Sequence, residues 1–165
     1  MLPTYTADAE AYREKVQAFL AEKLPADWQG MGALDDDELE TFVAQWRNVL
    51  YEANYLAPGW PTEFGGGGLS ALEQVILAEE FTKAGVPSGG PNDAFSIQML
   101  GNTILMWGTD EQKAKHLSGI ASGEIRWCLG LSEPNAGSDL ASLATKCEDK
   151  GDHWLINGQK VWTSY

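Results

Sequence analysis

Cysteine is almost missing from this chain. Cys128 and Cys147 are the only two in 165 residues, and no Cys-x-x-Cys pair occurs. That excludes a disulfide scaffold or a zinc ribbon. The expectation is two small buried thiols on strands, in a reducing compartment. Histidine is equally scarce: His116 and His153 stand far apart with no partnering spacing, so no metal site is expected. Cations are the third shortage. Eleven Lys plus Arg face 24 Asp plus Glu, a formal charge of -13. Such a surface repels a duplex or an anionic membrane, and nucleic acid is not an expected partner. An anionic small ligand remains compatible, because oriented amides and a few cations can reverse the field locally. Long apolar runs are absent too. The N-terminus MLPTYTADAEAYREK has no signal core, and no stretch approaches the roughly 20 residues needed to span a bilayer. The expected setting is the cytoplasm.

What is present is the composition of a globular protein, 44% hydrophobic and 21% charged. A chain of this length buries roughly 70% of its unfolded surface and needs no staples. As far as about Ala121 its periodicity is helical. Tyr12, Val16, Phe19 and Leu20 share one face of a helix that Thr6 could cap. Leu39, Phe42, Trp46, Val49 and Leu50 repeat the pattern behind the acidic start DDDE, which suits a helix N-terminus. Ser70 with Glu73, and Thr109 with Gln112, have capping-box spacing. The run AFSIQMLGNTILMW, Ala94 to Trp107, is apolar on nearly all sides and predicts a central, buried helix.

Past Gly123 the period changes. IRWCLGL reads as a compact strand, followed by LATKCE, a turn at Gly151-Asp152, HWLI, and Asn157-Gly158 before QKVWTS. Asn-Gly between apolar strands predicts a type I′ hairpin, with positive φ at both positions. The fold expected is α+β: an all-α bundle domain over residues 1–123, then the start of an antiparallel β-barrel or sheet domain over 124–165. An antiparallel sheet ending on an apolar strand leaves an open edge, so the sequence is expected to be the N-terminal part of a longer chain.

Two glycine-containing loops invite a ligand reading. PTEFGGGGLS, Pro61 to Ser70, lacks the Gly-Lys-Ser/Thr of a P-loop and the preceding strand of a dinucleotide fingerprint. A close turn into the helix capped by Ser70 is the simpler account. LSEPNAGSD is rich in turn formers and, taken alone, reads as a turn. It also makes a rim of donors, Ser132, Gly137 and Ser138, suited to the carbonyls and amides of a planar ligand, with Gly137 permitting close approach. No His, Asp or Lys is placed to activate Ser138 as a nucleophile. In NGQKVWTS, strand alternation would put Trp162 and Ser164 on one face, an indole beside a hydroxyl. An ordinary sheet tryptophan is the plainer alternative.

GLSEPNAGSDLAS and INGQKVWTS, together with the earlier GWPTEFGGGGLS and GTDEQKAKHLSGIASGE, resemble the acyl-CoA dehydrogenase family in type and in order along nearly the whole chain. The resemblance covers that family's N-terminal helical domain and roughly half of its middle β domain. Asn135 stands where glycine is commoner, and Ser118 where a proline usually ends the helix. The resemblance implies FAD as cofactor, framed by Leu129, Leu131, Ser132, Gly137, Ser138, Trp162, Thr163 and Ser164. Ser132 would bond the pyrimidine side of the ring. Ser138 would lie where flavin and thioester meet, and so would also touch substrate. Ser164 would approach the flavin N5. Glu133 and Asp139 read as caps that fix the loop through backbone amides. The acyl chain would enter between the Ala94–Trp107 helix and its neighbours.

The implied reaction is α,β-dehydrogenation of an acyl-CoA thioester. Its base, by resemblance a glutamate of the C-terminal domain, would lie beyond Tyr165, so the 165 residues alone are expected to be inactive. Electron-transferring flavoprotein is an implied partner, and a homo- or hetero-oligomer the implied assembly. A flavin-dependent oxidase or monooxygenase of the same fold, and a non-catalytic subunit of a heteromeric dehydrogenase, stay open beside it.

Overall fold

A computed structural model describes residues 5–163, which fall into two compact units divided between Arg126 and Trp127. The first is helical. α1 (Ala7–Lys23), α2 (Asp36–Glu52), α3 (Ala71–Ala84), α4 (Asn102–Trp107) and α5 (Asp110–Ser122) follow in order, with 3₁₀ turns at Met31–Ala33 and Thr62–Phe64 in the loops before α2 and α3 and a π-helical segment, Ala94–Gly101, leading into α4. The helix starts are set locally. The Thr6 hydroxyl accepts from the Ala9 amide, and Asp35, Ser70 and Thr109 form full capping boxes with Glu38, Glu73 and Gln112. Gly85 and Gly123 end α3 and α5 in the left-handed conformation. α5 runs through Ser118 without a break.

The core of this unit is apolar and aromatic. Val16, Leu50, Ile76, Leu117 and Ile120 are wholly buried, and Phe81 nearly so. Phe19 meets Tyr55 edge-on at 5.0 Å between centroids, and Trp28 stacks on Phe42 at 4.4 Å. Such pairs add roughly 0.5–1.5 kcal/mol each beyond their burial. Two polar knots tie the helices. Arg13 on α1 bonds Glu79 and Glu80 on α3. Arg47 on α2 grips Asp93 through Nε and Nη2 and donates from Nη1 to the Ser122 carbonyl at the end of α5.

The glycine run is a tight turn, as its sequence suggested. Gly65 and Gly68 have positive φ, and a Cβ on Gly66 would fall 2.2 Å from the Trp60 carbonyl oxygen. The Ala94–Trp107 run departs from expectation. Ser96, Ile97 and Gly101 are buried, but Met99, Met106 and Trp107 are exposed and α4 buries nothing. Only one side of the segment meets other helices, so an apolar sequence on all sides leaves its outer side uncovered.

The second unit contains one antiparallel pair, β1 (Lys146–Asp149) and β2 (Trp154–Asn157), in the register Cys147↔Ile156. Its turn is at Gly151 (φ 93°), closed by the Lys150 amide on the His153 carbonyl at 3.0 Å. Three expectations are corrected here. IRWCLGL is not a strand, because no ladder partner lies beside it among the described residues. Asn157-Gly158 is not a type I′ turn, since neither residue has positive φ. Gly158 is instead required by close packing, its absent Cβ falling 2.1 Å from the Thr145 hydroxyl oxygen. Both cysteines are exposed rather than buried: every position of β1 is exposed, and Cys128 lies on the irregular segment.

Candidate functional site

The loop singled out in the sequence is built around one acid. Pro134 and Asn135 make a tight turn closed on both sides, the Glu133 amide donating to the Ala136 carbonyl at 2.8 Å and the Ala136 amide to the Glu133 carbonyl at 3.1 Å. Proline presets the first turn position and asparagine tolerates the second. The Glu133 side chain then turns inward, 7% exposed. Its Oε2 accepts the Ala144 amide at 2.7 Å, and its Oε1 accepts the Thr145 amide at 2.9 Å. Lys160 Nζ completes the set at 2.9 Å from Oε1 and also donates to the Leu131 carbonyl at 3.0 Å. The nearby Thr145 hydroxyl, the Ala144 amide and the Lys160 ammonium hold the Glu133 carboxyl at about 2.

Glu133 therefore fixes the loop through backbone amides, as read from sequence. Asp139 does not. Its carboxylate takes the Ser142 hydroxyl, and only its carbonyl meets a backbone amide, that of Ser142 at 3.1 Å, opening a single 3₁₀ turn over Leu140–Ser142.

Around this anchor the loop presents its other groups outward. Leu129 and Leu131 are exposed, as are Gly137 and Ser138, while Ser132 is half-buried. No atom lies within 4 Å of where a Gly137 Cβ would be, so its backbone faces open space. The chain returns beside this segment at Val161, whose amide donates to the Ser132 carbonyl at 2.9 Å. The next residue, Trp162, projects its indole almost fully into solvent at φ 59°, followed by exposed Thr163. A positive φ at Trp162 interrupts strand alternation, and Ser164, expected on the same face, lies outside the described residues.

Exposed leucines, an indole, hydroxyls and an open glycine backbone in one unit fit a large, planar, part-polar ring. Lys160 is the member that sequence reasoning missed. Its only trace was a cation within a segment read for its Trp and Ser. The buried acid, needing a counter-charge, was the signal that could have found it.

Two family models match the chain: "Acyl-CoA dehydrogenase, N-terminal domain" over residues 6–124 and "Acyl-CoA dehydrogenase, middle domain" over 128–165. Acyl-CoA dehydrogenase IpdE1 of Mycobacterium tuberculosis is 40% identical over 161 residues, 95% of this chain and 41% of that protein. Mitochondrial isovaleryl-CoA dehydrogenase of Bos taurus is 36% identical over 150 residues, 91% of this chain and 34% of that protein. Among solved structures, the ChsE4-ChsE5 complex from Mycobacterium tuberculosis superposes with a TM-score of 0.68 at 36% identity, covering 99% of this chain and 40% of that one. The chain thus spans between about a third and two-fifths of the length of these relatives.

Proposed function

The chain belongs to the acyl-CoA dehydrogenase family, and on that premise we propose that the protein catalyses FAD-dependent α,β-dehydrogenation of an acyl-CoA thioester. The observation that carries this reading is the exposed frame anchored by Glu133, in a chain matched by that family nearly end to end. Leu129 and Leu131 offer apolar contact to the ring, and Ser132 and Ser138 offer hydroxyls to its polar edge. The open backbone at Gly137 lets the ring approach closely. Trp162, Thr163 and Ser164 hold its other side. Ser138, exposed where Ser132 is half-buried, also meets the thioester.

FAD, where held by these residues, would supply the redox chemistry, a two-electron oxidation of the thioester across Cα and Cβ. The residues of this chain position the reactants and keep water away from the reacting atoms. None of the acids in the frame is suited to take the Cα proton. Glu133 is buried, held at about 2, and fully engaged by two amides and an ammonium. A general base needs a proton affinity near the working pH and a free oxygen, so the base belongs to a residue outside this frame. Electron-transferring flavoprotein is the proposed acceptor, and the cytoplasm the proposed setting. No helix among the described residues is long and apolar enough to cross a membrane.

One observation favours a second reading of the assembly. The solved relative named above is a complex of two different chains. On that reading this protein pairs with a second dehydrogenase chain and supplies part of a shared pocket.

The test is anaerobic reduction of the FAD-loaded protein with a panel of straight, branched and ring-bearing acyl-CoA thioesters, following bleaching of the flavin band. Rapid bleaching by some thioester, slowed by Ser138→Ala with folding unchanged, is the expected result. No bleaching by any thioester, with oxygen-dependent turnover of another substrate, would replace the dehydrogenase with an oxidase or monooxygenase. Bleaching only after a second chain is added would establish the shared pocket.

A further inference from the structure

Three stretches of the second unit converge on a single carboxylate. Leu131 to Glu133, Ala144-Thr145 and Lys160-Val161 are distant along the chain, and what holds them together is a short set of bonds. Glu133 gathers the amides of Ala144 and Thr145. Lys160 Nζ bridges from Glu133 Oε1 at 2.9 Å to the Leu131 carbonyl at 3.0 Å. Beside it, the Val161 amide takes the Ser132 carbonyl at 2.9 Å. Consecutive carbonyls, those of Leu131 and Ser132, are thus held by consecutive residues, Lys160 and Val161.

We propose that Lys160 is a positioning residue: bonded at once to Glu133 and to the Leu131 carbonyl, it clasps Leu129–Ser138 to Val161–Thr163 and so sets the frame that receives the flavin ring. The inference rests on the flavin reading above. Its local basis is independent of that reading. Gly130 leaves room for the lysine stem, since a Cβ there would stand 3.2 Å from Lys160 Cγ. Gly158 lets the incoming chain run against Thr145, which delivers Lys160 to the acid. The side chain is 29% exposed, and its stem packs along the loop at Gly130.

The bonded pair does more than neutralise a charge. Glu133 alone would fix Ala144-Thr145 to the turn but leave the Val161–Thr163 segment tied by one amide. Lys160 adds a second, adjacent tie, and two ties fix direction where one leaves a hinge. The side chains whose direction it sets, those of Leu131, Ser132 and Trp162, are among those assigned to the ring.

The test compares Lys160→Met, Lys160→Arg and wild type in the FAD-loaded protein. Amide exchange at Val161 and Thr145 reads the clasp, and FAD affinity with the shape of the visible flavin band reads the frame. Lys160→Met removes charge-assisted bonds, so exchange at Val161 should quicken, and the FAD dissociation constant rise, by about tenfold or more. Melting of the helical unit should not move. Lys160→Arg can still reach a carboxylate and a carbonyl together and should restore most of both effects. Unchanged exchange in Lys160→Met would overturn the clasp. Faster exchange with unaltered FAD affinity and flavin band would overturn the positioning role. Absence of FAD from the wild type would overturn the flavin reading and the proposal with it, and it would show in the wild-type arm rather than in the variants.

Discussion

Replacing Arg47 by methionine should cost the helical unit about 3 kcal/mol, the lower end of the range for breaking a buried ion pair. The figure follows from what the guanidinium holds. Arg47 bonds Asp93 from Nε at 3.1 and 2.9 Å and from Nη2 at 2.8 Å, and donates to the carbonyls of Ser122 at 3.1 Å and Ala121 at 3.3 Å. The two side chains are 17% and 10% exposed. Methionine keeps most of the stem but, among the described residues, leaves the Asp93 carboxylate with the Gly90 amide, at 2.7 Å, and uncovers two carbonyls at the end of α5. Those carbonyls have no intrahelical partner, and a cation there is favoured by the helix dipole. Partial water access to Arg47 is why the lower end of the range applies.

Asp93→Asn keeps an acceptor for the Gly90 amide and leaves Arg47 on its two carbonyls, so it should cost less, about 1.5 kcal/mol, a single charge-assisted hydrogen bond. The double variant removes the stranded carboxylate and should be less destabilised than the sum of the singles, with a coupling of about 1–3 kcal/mol. Urea unfolding followed by far-ultraviolet circular dichroism would measure all three. In thermal melts the Arg47→Met loss corresponds to a midpoint shift of roughly 6–12 °C for a chain of this size. Single losses that add to within about 0.5 kcal/mol would refute the claim that the pair acts as one unit.

Acid should loosen both units in a defined window. The Glu80 carboxyl is raised by burial, but hydrogen bonds from Lys83, Gln17 and Arg13 outweigh that and hold it at about 2, below its ordinary 4.5; Glu133 is lowered likewise. Groups lowered on folding contribute stability that is complete above 4.5 and lost as pH falls toward 2, so Glu80→Gln should flatten the acid limb of a helicity titration, and an unaltered limb would refute it. Gly66→Ala should destabilise by roughly 1–3 kcal/mol through the clash with Trp60, whereas Gly32→Ala, with nothing within 4 Å, should be nearly neutral in the same unfolding assay. Cys128 and Cys147 should both react with a chromogenic thiol reagent in the folded protein, and reaction of fewer than two thiols before denaturation would contradict their exposure.

The helical unit was legible because its signals are local. The caps at Thr6, Ser70 and Thr109 each bond an amide three residues on, so the residues that make a start also report it. Burial was less legible for the Ala94–Trp107 run, since an all-apolar sequence does not say which side has a neighbour. The β unit failed at its pairings for the same reason. The Asn-Gly rule presupposes two strands that face one another, and the chain after Asn157 does not fold back onto β2.

Gly158 was a true signal attached to the wrong cause. A glycine is demanded by positive φ or by a close approach, and sequence cannot tell which; here Thr145 decides it. The same ambiguity runs through the candidate site. Glu133 was readable as a loop cap because it stands beside proline in a run of turn formers, but the identity of its partners was not. A carboxylate that is 7% exposed requires a counter-charge or several amides. That requirement narrows the search to the chain's 11 cations, and geometry selects Lys160. In a chain with a charge of -13, a lysine whose ammonium is engaged by a buried acid is not free to meet anionic ligands. Its placement at the junction of the frame is therefore better explained by what it holds in line, the Leu131 carbonyl and the strand of chain leading to Trp162, than by charge balance alone.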